Sequence, residues 1–372
     1  MPEELFRSAD LLVRKVGNHG AACCVVTFDS FTDFRTLDRP GFGEFFLDRA
    51  GIDAIHVLSR DNDWYQYPDI PAAMACVRAA AQGYARVVTY GSSMGAYAAL
   101  RLGGLAGAHA ALALSPQFTI DPAIVPWETR WPESAKLYPP LWERTLPLPA
   151  LPEAYIVYDP VDNDRKHAAL YAKHLQFKSI RLPLCGHPVT GFLADIGLLQ
   201  VLIRAVCRRD FDPAKFEAQA CAERHRSPQY LINLALRTRS WRQSKRIALV
   251  REAVRLAPGD AGVLCYLAME LGAANEFDEA LTLHRRTLEI APGHPNLLLQ
   301  YSRTLERSGD LAAAIAVMEQ VEACSGGSPI YRPRLERLQA RAAKPGARWD
   351  PAAILPAWLK TRRSRPVRPH GH

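Results

Sequence analysis

The stretch Val87-Val88-Thr89-Tyr90-Gly91-Ser92-Ser93-Met94-Gly95-Ala96-Tyr97-Ala98-Ala99-Leu100 joins a β-branched run directly to an alanine-rich helical run through the pattern Gly-x-Ser-x-Gly. Such a junction leaves little freedom. The central serine must occupy a strained strand-to-helix turn that projects its hydroxyl, and the flanking glycines relieve crowding where strand and helix approach. The helix also directs its N-terminus at that hydroxyl, a favourable place for developing negative charge. Ser93 is therefore the candidate nucleophile, and the chain around it must supply a sheet.

Strand-length apolar runs do alternate with helix-like segments up to about residue 206: Ala21 to Phe28, Ile52 to Leu58, Ala85 to Tyr90, Ala108 to Leu114, Ala154 to Tyr158 and Ser179 to Leu184. This alternation predicts an α/β fold with a mainly parallel sheet and helices on both faces. Only Leu11 to Val16 is available as a leading strand, so a shortened N-terminal part is expected. The segment 116–152, rich in proline, tryptophan and tyrosine, reads as a cap-like insertion.

A nucleophilic serine needs a base and a group to orient that base. Tyr155-Ile156-Val157-Tyr158-Asp159-Pro160-Val161-Asp162-Asn163-Asp164 is a strand entering an acid-rich turn, and Leu182-Pro183-Leu184-Cys185-Gly186-His187 is a strand followed by a Gly-His turn. Through these three motifs, residues 1–206 resemble the α/β-hydrolase superfamily. The resemblance implies Ser93 as nucleophile, His187 as general base and a carboxylate between them in chain order. Asp162 is preferred for its distance from the strand end, with Asp159 and Asp164 as rivals. The oxyanion is expected at the backbone N–H of Met94 and a second N–H from Ser30 or Phe31. Here the chain departs from the common His-Gly, and Asp29 places a carboxylate beside that loop. Trp64, Tyr65, Gln117, Trp127, Arg130 and Trp131 are candidate substrate-binding residues, the aromatics as an acyl or sugar wall and Arg130 as an anion contact; packing of the cap is the equal alternative.

From about residue 227 the strand signals end and the sequence repeats. Ala257-Pro258-Gly259-Asp260 recurs as Ala291-Pro292-Gly293-His294, 34 residues later, which frames the units Ser227–Asp260, Ala261–His294 and Pro295–Ser328. Ala280 matches Ala314, Phe277 matches Leu311 and Leu264 matches Leu298. Period and positions resemble tetratricopeptide repeats, helix–turn–helix units that stack into an array. Arg246 stands where the first unit's small alanine belongs. The expected organisation is thus a hydrolase domain over 1–206, a linker over 207–226, helical repeats over 227–345 and a basic tail over 346–372.

Charge divides unevenly. Up to Val206 there are 19 Lys and Arg against 21 Asp and Glu, and beyond it 27 against 17. The basic end is suited to an acidic partner or to peripheral contact with an anionic membrane. It lacks the aromatic interleaving of a nucleic-acid surface, and a solvated tail is the simplest reading. Eight cysteines without ligand spacing indicate neither a disulfide framework nor a metal site, and none of this chemistry requires a cofactor. With no apolar stretch of membrane-spanning length and acids in the opening residues, a cytoplasmic location is expected. The resulting expectation is a serine hydrolase of a small-molecule or carrier-linked carboxylic ester or thioester, with the repeats engaging a protein partner or presenting the substrate. Acyl transfer by the same triad, or a non-catalytic adaptor binding through the repeats, are the alternatives.

Overall fold

A computed structural model of the chain describes residues 2–343 except 33, 327 and 329. The basic tail expected over 346–372 lies outside the described residues. Two compact units divide between Arg239 and Ser240.

The first unit is built on an eight-stranded sheet: β1 (Glu3–Arg7), β2 (Leu11–Val16), β3 (Cys23–Phe28), β4 (Asp53–Ser59), β5 (Arg86–Ser92), β6 (Ala110–Leu114), β7 (Glu153–Tyr158) and β8 (Lys178–Arg181), in the order β1-β2-β4-β3-β5-β6-β7-β8. The pairs β1/β2 and β2/β4 are antiparallel, and the other five are parallel. The expectation of a shortened N-terminal part is thereby corrected, because β1 and β2 form a hairpin. Its outer strand, Glu-Glu-Leu-Phe-Arg, is an exposed edge whose charges discourage pairing with another chain and also conceal it from hydrophobic patterning. Strands β4, β5 and β6 are buried along their whole length, as parallel strands covered on both faces must be.

Helices α1 (Glu44–Arg49), α2 (Ile70–Ala80), α3 (Met94–Arg101), α4 (Pro132–Leu137), α5 (Leu141–Thr145), α6 (Asp164–Tyr171), α7 (Val189–Asp195), α8 (Leu199–Arg208), α9 (Pro213–Glu223) and α10 (Pro228–Arg237) complete this unit. The two-residue period of the strands sorts the core. Val25, Val88 and Leu112 pack with Leu202, Ile203 and Val206 of α8 on one face, and Val26, Ile55 and Val87 pack with Met74, Val77 and Tyr97 on the other. Residues 207–226 are not a linker. Asp212 caps α9 by accepting from the N–H groups of Ala214 and Lys215, Pro213 occupies the first turn, and Phe216 and Ala220 are buried.

The second unit contains α11 (Gln243–Leu256), α12 (Ala261–Ala273), α13 (Phe277–Ile290), α14 (Pro295–Ser308), α15 (Leu311–Cys324) and α16 (Arg332–Ala342). The pairs α12/α13 and α14/α15 coincide with the second and third 34-residue frames. Ala280 and Ala314 are fully buried, where small side chains permit close helix approach, and Leu264 and Leu298 fill the adjoining space. The first frame is divided: α10 belongs to the first unit and α11 to the second. Arg246, at the atypical position, pairs with Glu270 of α12.

At the end of β3, Asp29 serves as a buried strut. Its carboxylate takes Arg39 Nη1 at 2.6 Å and accepts the N–H groups of Phe42 at 3.1 Å and Ser59 at 3.3 Å. Burial outweighs these partners and pushes its carboxyl up to about 6.

Two outcomes are expected. Ala314→Leu should destabilise the repeat unit by about 1–3 kcal/mol in chemical denaturation through overpacking, whereas Ala312→Leu, at an exposed position of the same helix, should change it little. Because the Asp29 carboxyl binds its proton more tightly when folded, its contribution to stability is present at low pH and lost as pH rises through about 6. The stability of the wild type relative to Asp29→Asn should therefore rise by about 1 kcal/mol between pH 7 and pH 5.

Candidate active site

Strand β5 delivers Ser93 directly to the first turn of α3. Ser93 has φ 53° and ψ −117°, a conformation that costs a non-glycine residue about 1–3 kcal/mol and persists only where its surroundings enforce it. The flanking glycines show what enforces it. A Cβ on Gly91 would lie 2.2 Å from the Gly95 backbone, and one on Gly95 would lie 2.2 Å from the Phe28 carbonyl oxygen. Strand, helix and the end of β3 meet at van der Waals limits. The Ser93 N–H donates to the Leu114 carbonyl at 2.8 Å, which fixes the turn to β6.

The three side chains expected to converge are Ser93, His187 and an acid. Ser93 Oγ lies 2.9 Å from His187 Nε2. On the far side of the ring, Nδ1 lies 2.9 and 3.0 Å from the two carboxylate oxygens of Asp164. Asp164, rather than Asp162, occupies this place. It is the first residue of α6, where its side chain is wholly buried, whereas Asp162 keeps 36% of its side-chain surface exposed and accepts the N–H of Asn163. Asp159 is buried but holds the loops: it accepts from Val161 N–H at 2.8 Å and Gly186 N–H at 2.9 Å. Burial alone would raise the Asp164 carboxyl; His187 and Arg130 together outweigh it and hold it below the ordinary carboxylate value. An imidazole with Nδ1–H donating to Asp164 presents a free lone pair at Nε2 to the serine hydroxyl, so the arrangement can draw a proton from Ser93.

Arg130 does not await an anionic ligand. Its guanidinium forks onto Glu128, with Nη2–Oε2 at 2.6 Å and Nε–Oε1 at 3.0 Å, and its Nη1 lies 2.9 Å from Asp164 Oδ1. His167 completes this buried cluster. Its Nδ1 accepts from Phe118 N–H at 3.1 Å, so the proton sits on Nε2, which donates to Glu128 at 2.9 Å. Burial holds His167 below its ordinary value, and Glu128, despite burial, is held well below its own by His167 and Arg130. Glu128 and His167 were invisible as functional residues in the sequence. Trp127 covers His167, with ring centroids 4.6 Å apart, and so braces this cluster.

The other candidate residues separate by position. Gln117 is fully buried at the centre: its Nε2 lies 3.2 Å from Ser93 Oγ and 3.1 Å from the Ser115 carbonyl, and its Oε1 accepts from Trp64 Nε1 at 3.2 Å. Trp64 packs edge-on against Trp131 and Phe31, and Trp131 lies edge-on to His187 with centroids 5.3 Å apart. Tyr65 belongs to the scaffold. It is fully buried, with its hydroxyl accepting from Asp29 N–H at 2.5 Å and donating to the Val57 carbonyl at 3.1 Å. The cap residue Trp142 donates through its indole to the Tyr65 carbonyl at 2.7 Å and through its backbone N–H to Gln66 at 3.1 Å, so packing accounts for that part of the insertion. Asp29 points its carboxylate into the Arg39 pair.

One support for His187 comes from beyond the expected domain boundary. Asn233 of α10 donates to the Leu184 carbonyl at 3.1 Å, and Gln229 and Asn233 pack so closely on Gly186 that a Cβ there would lie 2.7 Å from each amide. Gly186 has φ 72°, which a glycine adopts without strain. Helix α10 thus clamps the turn that carries His187. Among the described residues, no grouping of three or more His, Cys, Asp or Glu side chains is suited to a metal ion.

Two family models match the chain. A family model described as tetratricopeptide repeat matches residues 271–342. The Sgt2 TPR domain from Aspergillus fumigatus is similar at 19% identity over 34% of this chain and 91% of that one, with a TM-score of 0.29. The Yersinia enterocolitica type III secretion chaperone SycD, solved with a peptide of the translocator YopD, is similar at 16% identity over 30% of this chain and 85% of that one, with a TM-score of 0.26. No curated protein matches the chain. The alpha/beta hydrolase family model matches residues 5–234, and the chain belongs to that family, with tetratricopeptide repeats following its hydrolase domain.

Proposed function

We propose that the protein is a serine hydrolase that cleaves a carboxylic ester or thioester through an acyl-enzyme, with Ser93, His187 and Asp164 as its triad. The observation that carries this reading is the continuous path from Ser93 Oγ to His187 Nε2 at 2.9 Å and from His187 Nδ1 to Asp164 at 2.9 Å. Ser93 Oγ attacks the carbonyl carbon as His187 takes its proton. Asp164 holds the imidazole in the required tautomer and stabilises the imidazolium. His187 then protonates the departing alkoxide or thiolate, and a water activated at the same nitrogen releases the acid.

The oxyanion is assigned to the N–H of Met94, at the first residue of α3, and to a second N–H from Ser30 or Phe31. Asp29 cannot supply that donor, because its N–H is given to Tyr65. Trp131 beside His187 and half-exposed Phe31 favour an apolar acyl group. Stacked helix pairs form the extended concave surface of a peptide-binding array, so the repeats are assigned to a protein partner or a substrate-bearing one.

A fluorophosphonate probe at about pH 8 should label the wild type and not Ser93→Ala. Asp164→Asn should slow labelling by about 10²- to 10⁴-fold, whereas Asp162→Asn should label at close to the wild-type rate. Folded protein that takes no label would favour the adaptor reading. A panel of acyl esters and thioesters, with and without nucleophilic acceptors, separates hydrolysis from acyl transfer.

A further inference from the structure

The amino ends of the strands, at the opposite edge of the sheet from Ser93, carry a pair of thiols that the hydrolase reading does not use. Cys23 opens β3 and Cys207 is the penultimate residue of α8; both are partly exposed. Arg86 brings the two elements together. It is the neighbour of Cys23 in register on β5, and its Nε donates at 2.9 Å to the carbonyl of Val206, the residue before Cys207. Cys23 and Cys207 pack against the same hydrophobic core. Both side chains line one open cleft of about 720 Å³, together with Arg86, Arg208 and Arg209. Cys24, Cys185 and Cys265, by contrast, are buried.

The two thiols are electronically unequal. The neighbouring Cys207 thiol holds the Cys23 thiol below its ordinary value against the opposing effect of burial, and Arg86 adds to the lowering. Cys207 is pushed up by the neighbouring Cys23 and by burial. A partly exposed thiol held low beside a cation, with a second thiol lining the same cleft, is the arrangement in which peroxide attacks one sulfur and the other resolves the product.

We propose that Cys23 and Cys207 are a peroxide-responsive dithiol that closes to an intramolecular disulfide, tethering α8 to β3. The Cys23 thiolate attacks one peroxide oxygen; the O–O bond breaks, Cys23 becomes a sulfenic acid and one water leaves after protonation. The Cys207 sulfur then attacks the Cys23 sulfur, forms the S–S bond and displaces the hydroxyl as a second water. Two thiols are oxidised by two electrons, and one hydrogen peroxide is reduced to two waters. This inference is independent of the triad.

The test uses the full, reduced chain exposed to hydrogen peroxide near stoichiometry, then alkylated, digested without reduction and sequenced by mass spectrometry. The expected result is a Cys23–Cys207 linked peptide at least about tenfold more abundant than any other cysteine pair, with fragment ions placing the link at Cys23 rather than Cys24. In Cys207→Ser the link should vanish and Cys23 should accumulate as a dimedone-trapped sulfenic acid. Alkylation of Cys23 and Cys207 to the same extent before and after peroxide, or a link that fragment ions assign to Cys24, would overturn the proposal.

Discussion

Everything at the candidate site depends on how closely β5, α3 and the end of β3 approach one another. Gly91 and Gly95 permit that approach because any Cβ there would fall about an ångström inside contact distance. The result is a serine held at positive φ, with its hydroxyl raised from the sheet and its successor at a helix N-terminus. The remaining parts are loops at the carboxyl ends of β6, β7 and β8, brought to that hydroxyl by strand order alone. Ser115 shows the coupling: it follows β6, and its hydroxyl accepts from Val189 N–H at 3.1 Å, fixing the helix that follows His187.

A second constraint is the buried charge around Asp164. One guanidinium neutralises two buried carboxylates, those of Glu128 and Asp164, while His167 remains neutral through its contact with Phe118 N–H. Buried charges at this density are stable only when each is paired and hydrogen-bonded. Arg130 thereby links the cap-like insertion to the carboxylate that faces His187, so the insertion positions that cluster as well as covering it. The cation also tempers the carboxylate that faces His187, holding it ionised without leaving its full charge on the imidazole.

The parallel sheet, the elbow, His187 and the 34-residue frame were legible because each rests on local pattern: β-branched runs, glycine punctuation and helical periodicity. The choice among Asp159, Asp162 and Asp164 was not, since three acids in six residues differ only in which one the α6 N-terminus turns inward. Arg130 read as a ligand contact because Glu128, two residues before it, is unremarkable in the sequence and Asp164 lies a strand away. The first repeat frame had the correct helices but the wrong neighbour, because the period of α10 does not reveal that Gln229 and Asn233 face the turn of His187. The short strand β1 has only Leu5 and Phe6 among three charged residues, too little to show an alternation.

The central claim is that His187 is held between Ser93 and Asp164 as a single hydrogen-bonded unit. Proton NMR of the His187 Nδ1–H measures that bond directly, since a proton shared with a buried carboxylate resonates far downfield of other imidazole protons. The expected result is such a resonance in the wild type and in Asp162→Asn, assigned by its loss in a folded His187 variant, and its absence in Asp164→Asn. A resonance lost in Asp162→Asn but kept in Asp164→Asn, or no such resonance in the folded wild type, would contradict it.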